Sequence, residues 1–180
     1  DDTAARAVPG VRKVVQVPSG VAVVADHFWA ANAGREALKV EWEAPPGAPL
    51  DSAALLAEFR KLADQPGRVA ATAGDAPAAL AGAGRTIAAD YVFPYLAHAP
   101  MEPLSCTVRL GSDRCEIWTG TQFQTLDQMA AARIAGLKPE QVELHTTFLG
   151  GGFGRRATPT SDWVSEAVHV AKAAGVPVKT

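Results

Sequence analysis

Residues 105–118 read SCTVRLGSDRCEIW, and this stretch decides the fold class. Apolar and polar residues alternate over 105–110 and again over 114–118, which predicts two β-strands. Gly111, Ser112 and Asp113 between them are typical of a hairpin loop. Because segments with helical periodicity occur on both sides of the hairpin, the sequence predicts an α+β fold of mixed sheets with packed helices.

The predicted hairpin separates the two cysteines of the chain. With a loop of two or three residues, the residue opposite Cys106 is 118 or 119, which lies beyond Cys115. This offset places the two cysteine Cα atoms roughly 10 Å apart, beyond the limit of ~7 Å for a disulfide. We therefore expect two free, mostly buried thiols and no catalytic cysteine.

Toward the N-terminus, residues 1–44 have the pattern of a β-β-α-β lobe. Its expected elements are strands over 11–17 and 20–25, a helix over 27–38 that begins at an Asp26 N-cap and has Phe28 and Trp29 in its interior, and a strand over 39–43 with Val40 and Trp42 on one face. The next residues, APPGAP at 44–49, are rich in proline and exclude regular structure. We therefore predict a Pro/Gly linker over 45–50 and a second domain over 51–180.

Beyond the linker, the sequence predicts helices and strands in mixed order. The helices are expected over 51–63, 76–81, 125–136 and 160–174, and the strands over 68–72, 86–93, 105–110, 114–118 and 142–147. The residues between the last strand and the last helix, 150–157, are expected to form a glycine-rich loop.

Composition and charge exclude several classes of function. The 180 residues include 17 Lys and Arg against 19 Asp and Glu, a net charge of −2, which leaves no basic excess to bind a nucleic acid. No apolar run approaches the length of a membrane-spanning helix, and the histidines and cysteines lack the spacings of a zinc site. The chain starts without Met or a targeting signal and ends within an apolar pattern, so we expect a piece of a longer protein.

The strongest candidate for a binding site is GGGFGRR at 150–156. Its glycines cost conformational entropy on folding, but they allow several backbone N–H groups to approach an anion. Arg155 and Arg156 can bind phosphate or another oxyanion, and the following helix adds its partial positive charge. A flexible hairpin tip is the alternative, although the apolar Phe153 is atypical of one. The spacing matches neither a dinucleotide-binding motif nor a P-loop.

Four motifs occur in a fixed order: HAPMEP at 98–103, CTV at 106–108, W-x-G-T-Q at 118–122 and GGGFGRR at 150–156. Together they resemble the molybdenum hydroxylases, the xanthine dehydrogenase and aldehyde oxidase family. The resemblance is greatest to the branch that includes isoquinoline 1-oxidoreductases and bacterial membrane-bound aldehyde dehydrogenases. It implies that the chain is a fragment of a larger molybdopterin-binding subunit and that 51–180 is the first part of the molybdopterin-binding domain.

The resemblance also implies roles for individual residues. Gln122 matches the glutamine whose side-chain amide hydrogen-bonds the apical oxo ligand of molybdenum in the family. The loop residues that match the cofactor contacts are Gly151, Gly152, Phe153, Gly154 and Arg155. The metal is held through the pterin, so no direct metal ligand is expected. The general-base glutamate of the family is expected beyond residue 180, so this fragment alone should contain no catalytic residue and be inactive.

The cofactors implied by the resemblance are molybdopterin, in a dinucleotide form, and [2Fe–2S] clusters on a partner subunit. The implied partners are that iron–sulfur small subunit, a membrane cytochrome c subunit, and a small aldehyde or N-heteroaromatic substrate that is hydroxylated with oxygen from water. Xanthine-oxidising members continue FGGKE where this chain has FGRRA at 153–157, so a purine is not expected. A periplasmic or membrane-associated location is also implied.

Two other functions remain open on the residues alone. The first is a non-redox α+β binding module that uses 150–156 for an anionic ligand or partner. The second is a scaffold that docks other proteins, in which the same glycines serve only as a tight turn.

Overall fold

The computed structural model describes residues 1–44, 46–47 and 49–180. Its contacts divide the chain into two compact units, Asp1–Glu41 together with Leu96–Thr180, and Trp42–Tyr95. Among the helices of the described residues, none combines the length and the apolar character needed to cross a bilayer.

Helices and strands are mixed along the chain, which confirms the predicted α+β class. In chain order the elements are α1 (Thr3–Arg6), β1 (Val11–Val17), β2 (Gly20–Ala25), α2 (Phe28–Glu36), α3 (Ser52–Ala63), α4 (Ala76–Ala81), β3 (Cys106–Leu110), β4 (Cys115–Thr119), α5 (Gln124–Ala135), β5 (Val142–Thr146), α6 (Asp162–Ala174) and β6 (Val178–Lys179), with short 3₁₀ helices at Pro139–Gln141 and Arg155–Ala157. Helices α3 and α4 belong to the second unit, and the other elements belong to the first.

A four-stranded sheet in the order β5-β4-β3-β6 forms the centre of the first unit. Strand β3 pairs antiparallel with β4 and β6, whereas β4 and β5 are parallel. Thr119 lies opposite Cys106, as the predicted hairpin register requires, and both cysteines are free and buried. Val108, Ile117 and Val168 are fully buried in the core that this sheet forms with α5 and α6.

A two-stranded antiparallel sheet, β1 with β2, packs against α2 and α6 in the same unit. Gly34 lets α2 approach this sheet closely. A Cβ at Gly34 would lie 2.8 Å from a methyl group of Val23 and 2.9 Å from one of Val11, so a larger residue would push the helix away.

The N-terminus of α2 differs from the expectation in its cap and in the face it buries. His27 rather than Asp26 is the N-cap, and its ring accepts a hydrogen bond from a backbone N–H of the first turn at 3.3 Å. Asp26 instead forms a bidentate ion pair with Arg12 on the neighbouring strand. Phe28 and Trp29, expected in the interior, are 71% and 74% exposed, because smaller residues of the helix pack against the sheet.

Three predicted strands do not form. Residues 39–43, 68–72 and 86–93 are irregular, so the N-terminal lobe lacks its last strand. Val40 and Trp42 are exposed rather than buried on a common face. An alternating sequence forms a strand only where a neighbouring strand accepts its backbone hydrogen bonds. The predicted linker includes Pro45 and Ala48, which lie outside the described residues, and the domain limits at 44 and 51 stay predictions.

The second unit contains α3 and α4, close to the ranges predicted for them. The N-cap residues Asp51 and Asp75 each accept a hydrogen bond from a backbone N–H of the first turn, at 2.7 and 3.0 Å. Within the described chain, no residue of either helix is buried. The apolar side of α3 lines an open groove together with residues 89–95.

Candidate functional site

The parallel pair of β4 and β5 brings two strand ends to one edge of the four-stranded sheet, where Thr119 and Thr146 are register partners. From these ends the chain continues into residues 120–122 and 147–154. The Thr147 N–H donates to the Thr119 carbonyl at 3.1 Å, so the two segments leave the sheet side by side. The carboxyl edge of parallel strands is a common place for ligands in proteins that contain them.

Gln122 and Gly152 meet at this edge. A Cβ at Gly152 would lie 2.9 Å from Oε1 of Gln122, closer than real Cβ contacts, so a larger residue would displace the carboxamide from its place beside the loop. The Gln122 backbone N–H donates to the Arg156 carbonyl at 3.0 Å, which ties the residue to the end of the loop. The structure therefore brings together the carboxamide and the glycines that the sequence singled out.

Residues 151–154 present a row of backbone N–H groups. In the part of the chain that the structure describes, no backbone hydrogen bond uses the N–H of Gly151, Gly152, Phe153 or Gly154. The φ angles of Gly151, Phe153 and Gly154 are positive, at 98°, 52° and 89°. The Arg155 N–H closes the turn on the Gly152 carbonyl at 2.9 Å. Successive N–H groups in such mixed backbone conformations form anion-binding concavities in other proteins.

Phe153 is the unusual member of this loop, because a bulky residue rarely adopts positive φ. Its side chain is 78% exposed, so no core contact offsets a conformational cost of about 1–3 kcal/mol. Backbone strain of this kind is concentrated at functional sites. The stability of the chain therefore does not explain the conformation of Phe153.

Arg155 joins the loop to the first turn of α6. Its guanidinium donates to both carboxylate oxygens of Asp162, at 2.9 and 2.8 Å, and lies 5.6 Å from the centre of the Trp163 ring. Partial burial alone would raise the pKa of Asp162, but hydrogen bonds and the charge of Arg155 hold that pKa below its usual value. The guanidinium that the sequence assigned to the site thus already has an anionic partner.

Arg156, which the sequence offered as an oxyanion ligand beside Arg155, binds groups of the chain itself. It is completely buried, and its guanidinium donates to the carbonyl oxygens of Gly151 at 2.7 Å, Gly120 at 3.2 Å and Glu102 at 2.9 Å. It also forms an ion pair with the Glu102 carboxylate at 2.9 Å. The Gly150 N–H donates to the same carboxylate oxygen at 2.7 Å. Glu102 lies in HAPMEP and Arg156 in GGGFGRR, but neither motif predicts that the two residues form an ion pair.

A buried carboxylate supports the turn that carries Gln122. Asp127, in the first turn of α5, is fully buried and accepts a hydrogen bond from the Thr121 hydroxyl. The oxygen of that hydroxyl accepts a hydrogen bond from the Phe123 N–H at 3.0 Å. The Thr121 hydroxyl therefore links the Asp127 carboxylate to the Phe123 backbone, and this fixes the residues on both sides of Gln122.

The two cysteines are not suited to nucleophilic chemistry. Burial raises the pKa of the Cys106 thiol to about 12, and burial likewise raises the pKa of Cys115 to about 11. The reactive form of a cysteine is the thiolate, which neither residue forms in appreciable amount near neutral pH.

A cluster of potential metal ligands occurs on the outer face of the sheet. Glu116, Glu143 and His145 have ligand atoms within 4.8 Å of one another. Arg109 and Arg114 form ion pairs with these carboxylates, and their positive charges oppose the binding of a cation there.

Comparison with protein families gives one match that covers most of the chain. The model described as molybdopterin cofactor-binding domain matches residues 62–180. It therefore includes all of the loop and strand ends described above.

Curated relatives match nearly the whole chain. The beta chain of isoquinoline 1-oxidoreductase of Brevundimonas diminuta is 36% identical, with 99% of this chain and 24% of the relative aligned. Membrane-bound aldehyde dehydrogenase [pyrroloquinoline-quinone] of Gluconacetobacter polyoxogenes is 30% identical, with 99% and 24% aligned. One subunit of the nicotinate dehydrogenase of Pseudomonas putida is 27% identical, with 99% and 15% aligned. The chain thus spans about a quarter or less of the length of these relatives.

Two solved structures have a similar fold. Quinoline 2-oxidoreductase from Pseudomonas putida 86 aligns with a TM-score of 0.69 at 21% identity, over 99% of this chain and 28% of that one. The Cu,Mo-CO dehydrogenase aligns with a TM-score of 0.62 at 21% identity, over 99% of this chain and 29% of that one. At this identity the likeness describes the fold alone.

Proposed function

The chain belongs to the molybdopterin cofactor-binding domain family, and on this premise we propose that Gln122 and residues 151–155 form part of its cofactor site. We propose further that the whole protein is the molybdenum-cofactor-binding subunit of an oxidoreductase. Its reaction is the hydroxylation of an aldehyde or an N-heteroaromatic compound, with water as the source of oxygen. The relatives support this substrate class, since they are named for isoquinoline, nicotinate and aldehyde.

The observation that carries the proposal is the contact between Gln122 and Gly152 at the carboxyl edge of the parallel strands. A Cβ at Gly152 would come within 2.9 Å of Oε1 of Gln122, so the loop and the carboxamide are fitted to each other. With Oε1 against the loop, the Gln122 NH₂ group is left as a hydrogen-bond donor. One side-chain donor and a row of backbone donors then share one edge of the sheet.

The chemistry of these donors fits an anionic cofactor with oxygen ligands. The N–H groups of residues 151–154 donate to no acceptor of the described backbone, and open space surrounds the Cβ position of Gly154. The nearby Glu102 carboxylate is paired with Arg156, so it does not repel an anion strongly. Backbone donors of this kind are preorganised, because they do not reorient when the ligand arrives.

The roles of the chain follow from these positions. Gln122 donates its amide to an oxygen of the cofactor, and the N–H groups of Gly152, Phe153 and Gly154 bind and orient it. Gly151 keeps the backbone close enough for this contact, and Arg155 fixes the end of the loop on α6 through its pair with Asp162. Molybdopterin, when bound, would supply the redox-active molybdenum.

The finer details of the assembly are part of the same proposal. The pterin would be in a dinucleotide form, and the partners would be an iron–sulfur subunit, whose [2Fe–2S] clusters would carry electrons, and a membrane cytochrome c subunit. The location of the whole protein is periplasmic or membrane-associated. The two relatives that are named as subunits support the existence of partner subunits, and the one named membrane-bound supports the location.

The test is the metal and pterin content of the whole protein, measured by elemental analysis and by the fluorescence of the released, oxidised pterin. We expect both molybdenum and pterin, and we expect Gln122→Ala and Gly154→Val to reduce turnover severely. Gln16→Ala is the matched control, because Gln16 is exposed on β1. A protein without molybdenum and pterin would support the non-redox binding module instead. Unchanged turnover in both site variants would support the scaffold.

A further inference from the structure

We propose that Glu102 and Arg156 are positioning residues that hold the 150–154 loop against Gln122. This inference rests on the proposed cofactor site, because it explains how that site is kept in shape. The sequence did not predict such a role for either residue. In the described part of the chain, neither side chain forms a hydrogen bond with the N–H groups of residues 151–154.

Arg156 joins three separate segments of the chain. Its guanidinium donates to carbonyl oxygens of Gly151 in the loop, Gly120 after β4 and Glu102 in the segment before β3. These three segments are far apart in the sequence and have no common helix or strand. A single planar guanidinium offers several donors in fixed directions, so it sets the relative positions of all its acceptors.

The burial of Arg156 makes these contacts costly to break. Arg156 has no exposed surface, and a buried charge is costly unless it is paired and its donors are satisfied. Here one carboxylate and three carbonyl groups satisfy it. Any movement of the loop that breaks one of these bonds leaves a buried donor without a partner. The Glu102–Arg156 pair therefore resists opening of the loop more strongly than a surface ion pair would.

Glu102 also contacts Gly150, the first glycine of the loop. Oε2 of Glu102 accepts the Gly150 N–H at 2.7 Å, and the Glu102 N–H donates to the Gly150 carbonyl at 3.1 Å. A Cβ at Gly150 would lie only 2.4 Å from the Cβ of Glu102. The two backbones are therefore in direct contact, and Gly150 is needed for that contact.

A consequence for ligand recognition follows. Arg155 is paired with Asp162 and Arg156 with Glu102, so both guanidinium groups at the end of the loop are neutralised within the chain. The binding of an anion then depends on backbone N–H groups and the Gln122 amide rather than on arginine side chains. The Glu102–Arg156 pair keeps these donors in their positions relative to one another.

The test is amide hydrogen exchange, measured by mass spectrometry on the whole protein purified from cells that cannot make molybdopterin. The reporting amides are those of Gln122 and Arg155, which donate to the carbonyls of Arg156 and Gly152 and do not touch Glu102. In Glu102→Ala we expect exchange at both amides to rise by about tenfold or more, because a buried charge loses its partner. Exchange within α6 and β3 should stay as in the wild type.

Three further variants keep the test decisive. Glu102→Gln should raise exchange at both reporters by less than Glu102→Ala does, since its side-chain carbonyl can still accept from Gly150 and Arg156 although the charge of Arg156 is no longer balanced. Arg156→Lys should raise exchange at Gln122, because one ammonium group cannot reach three separated carbonyl groups. These two variants decide the test if Glu102→Ala does not fold. Glu116→Ala removes a mostly buried carboxylate from an arginine pair elsewhere on the sheet and should change neither reporter.

Two results would overturn the inference. One is an increase confined to Gly150, which would mean that Glu102 acts only on its own partner. The other is a uniform increase throughout the first unit, which would mean a general role in stability. The proposed cofactor site fails separately, if the wild-type protein from cofactor-producing cells holds no molybdenum or pterin while the exchange pattern is as expected.

Discussion

Replacing Gly152 by alanine should separate the function of the site from the stability of the fold. The φ angle of Gly152 is not in the positive region, so alanine can adopt its backbone conformation. The new Cβ would lie 2.9 Å from Oε1 of Gln122 and 3.6 Å from two side-chain carbons of Arg156. Because only the first distance is too short, the carboxamide of Gln122 must move by about 0.5 Å to reach an ordinary contact of 3.4 Å.

The expected energies differ in size for folding and for function. The displaced group is the end of an exposed side chain, and a glycine-to-alanine change at an unstrained position stabilises by about 0.4–1 kcal/mol. The net free energy of unfolding should therefore change by less than about 1 kcal/mol. Removing one aligned hydrogen-bond donor from an active site costs about 10²–10³-fold in turnover. Gly152→Ala only shifts the carboxamide, so we expect a loss of about tenfold or more, smaller than the loss in Gln122→Ala.

The assay is turnover of an aldehyde or an N-heteroaromatic compound by the whole protein, together with its denaturant unfolding and its molybdenum content. Gly67→Ala is the matched control, since open space surrounds the Cβ position of Gly67 and its φ is not positive. Wild-type turnover in Gly152→Ala would refute the requirement for the carboxamide beside the loop. A destabilisation of several kcal/mol would refute the argument that only Gln122 has to move.

Other expected results concern a buried thiol, two tryptophans and the ion pair that joins the loop to α6. The thiol of Cys106 should react with an alkylating reagent at pH 8 only after unfolding, because burial raises its pKa to about 12; rapid reaction of the folded protein would contradict its burial. Trp42→Ala should leave the free energy of unfolding of the 180-residue chain unchanged, since the ring is 84% exposed. Trp118→Ala should lower that free energy by about 1–2 kcal/mol, because the Trp118 ring loses its stacking on His145. Equal effects of the two would contradict these placements. The pair of Asp162 with Arg155 lowers the pKa of Asp162, so its contribution is present above pH 3.8 and is lost as the pH falls through the lowered value. Acid titrations of stability for the wild type and Asp162→Asn should therefore converge below that pH; a constant difference would exclude the pair as the cause.

The elements that the sequence predicts well are those stabilised by local contacts. The hairpin of β3 and β4 follows from alternation and a short loop, and its register places Thr119 opposite Cys106 as expected. Helices α5 and α6 agree with their predicted ranges to within two residues. In these cases the contacts that decide the structure lie within a few residues of one another.

The failures concern elements that depend on distant partners. Residues 39–43 alternate as strands do and residues 86–93 are rich in apolar residues, but no neighbouring strand of the described chain pairs with either segment, and both are irregular. Phe28 and Trp29 are apolar and yet exposed, because Gly34 and other small residues fill the face of α2 against the sheet. A local sequence pattern indicates which element a segment can form, but it does not determine whether a neighbouring strand or sheet is present to pair with it.

The candidate site shows the same division. The sequence motifs identified its glycines and Gln122, and the structure places Gln122 beside Gly152. The parallel pairing of β4 and β5, which makes this meeting possible, has no signature in the residues themselves. The pairing of Glu102 with Arg156 joins residues 54 positions apart, so no spacing rule could have indicated it.

The most direct measurement of the central claim is an anomalous difference map at the molybdenum absorption edge, from crystals of the whole, cofactor-loaded protein. We expect one strong peak beside the Gln122 carboxamide and the N–H groups of residues 152–154. A peak at another place on this chain, such as the outer face of the sheet near Glu116 and His145, or no peak at all, would contradict the assignment of this loop as the cofactor site.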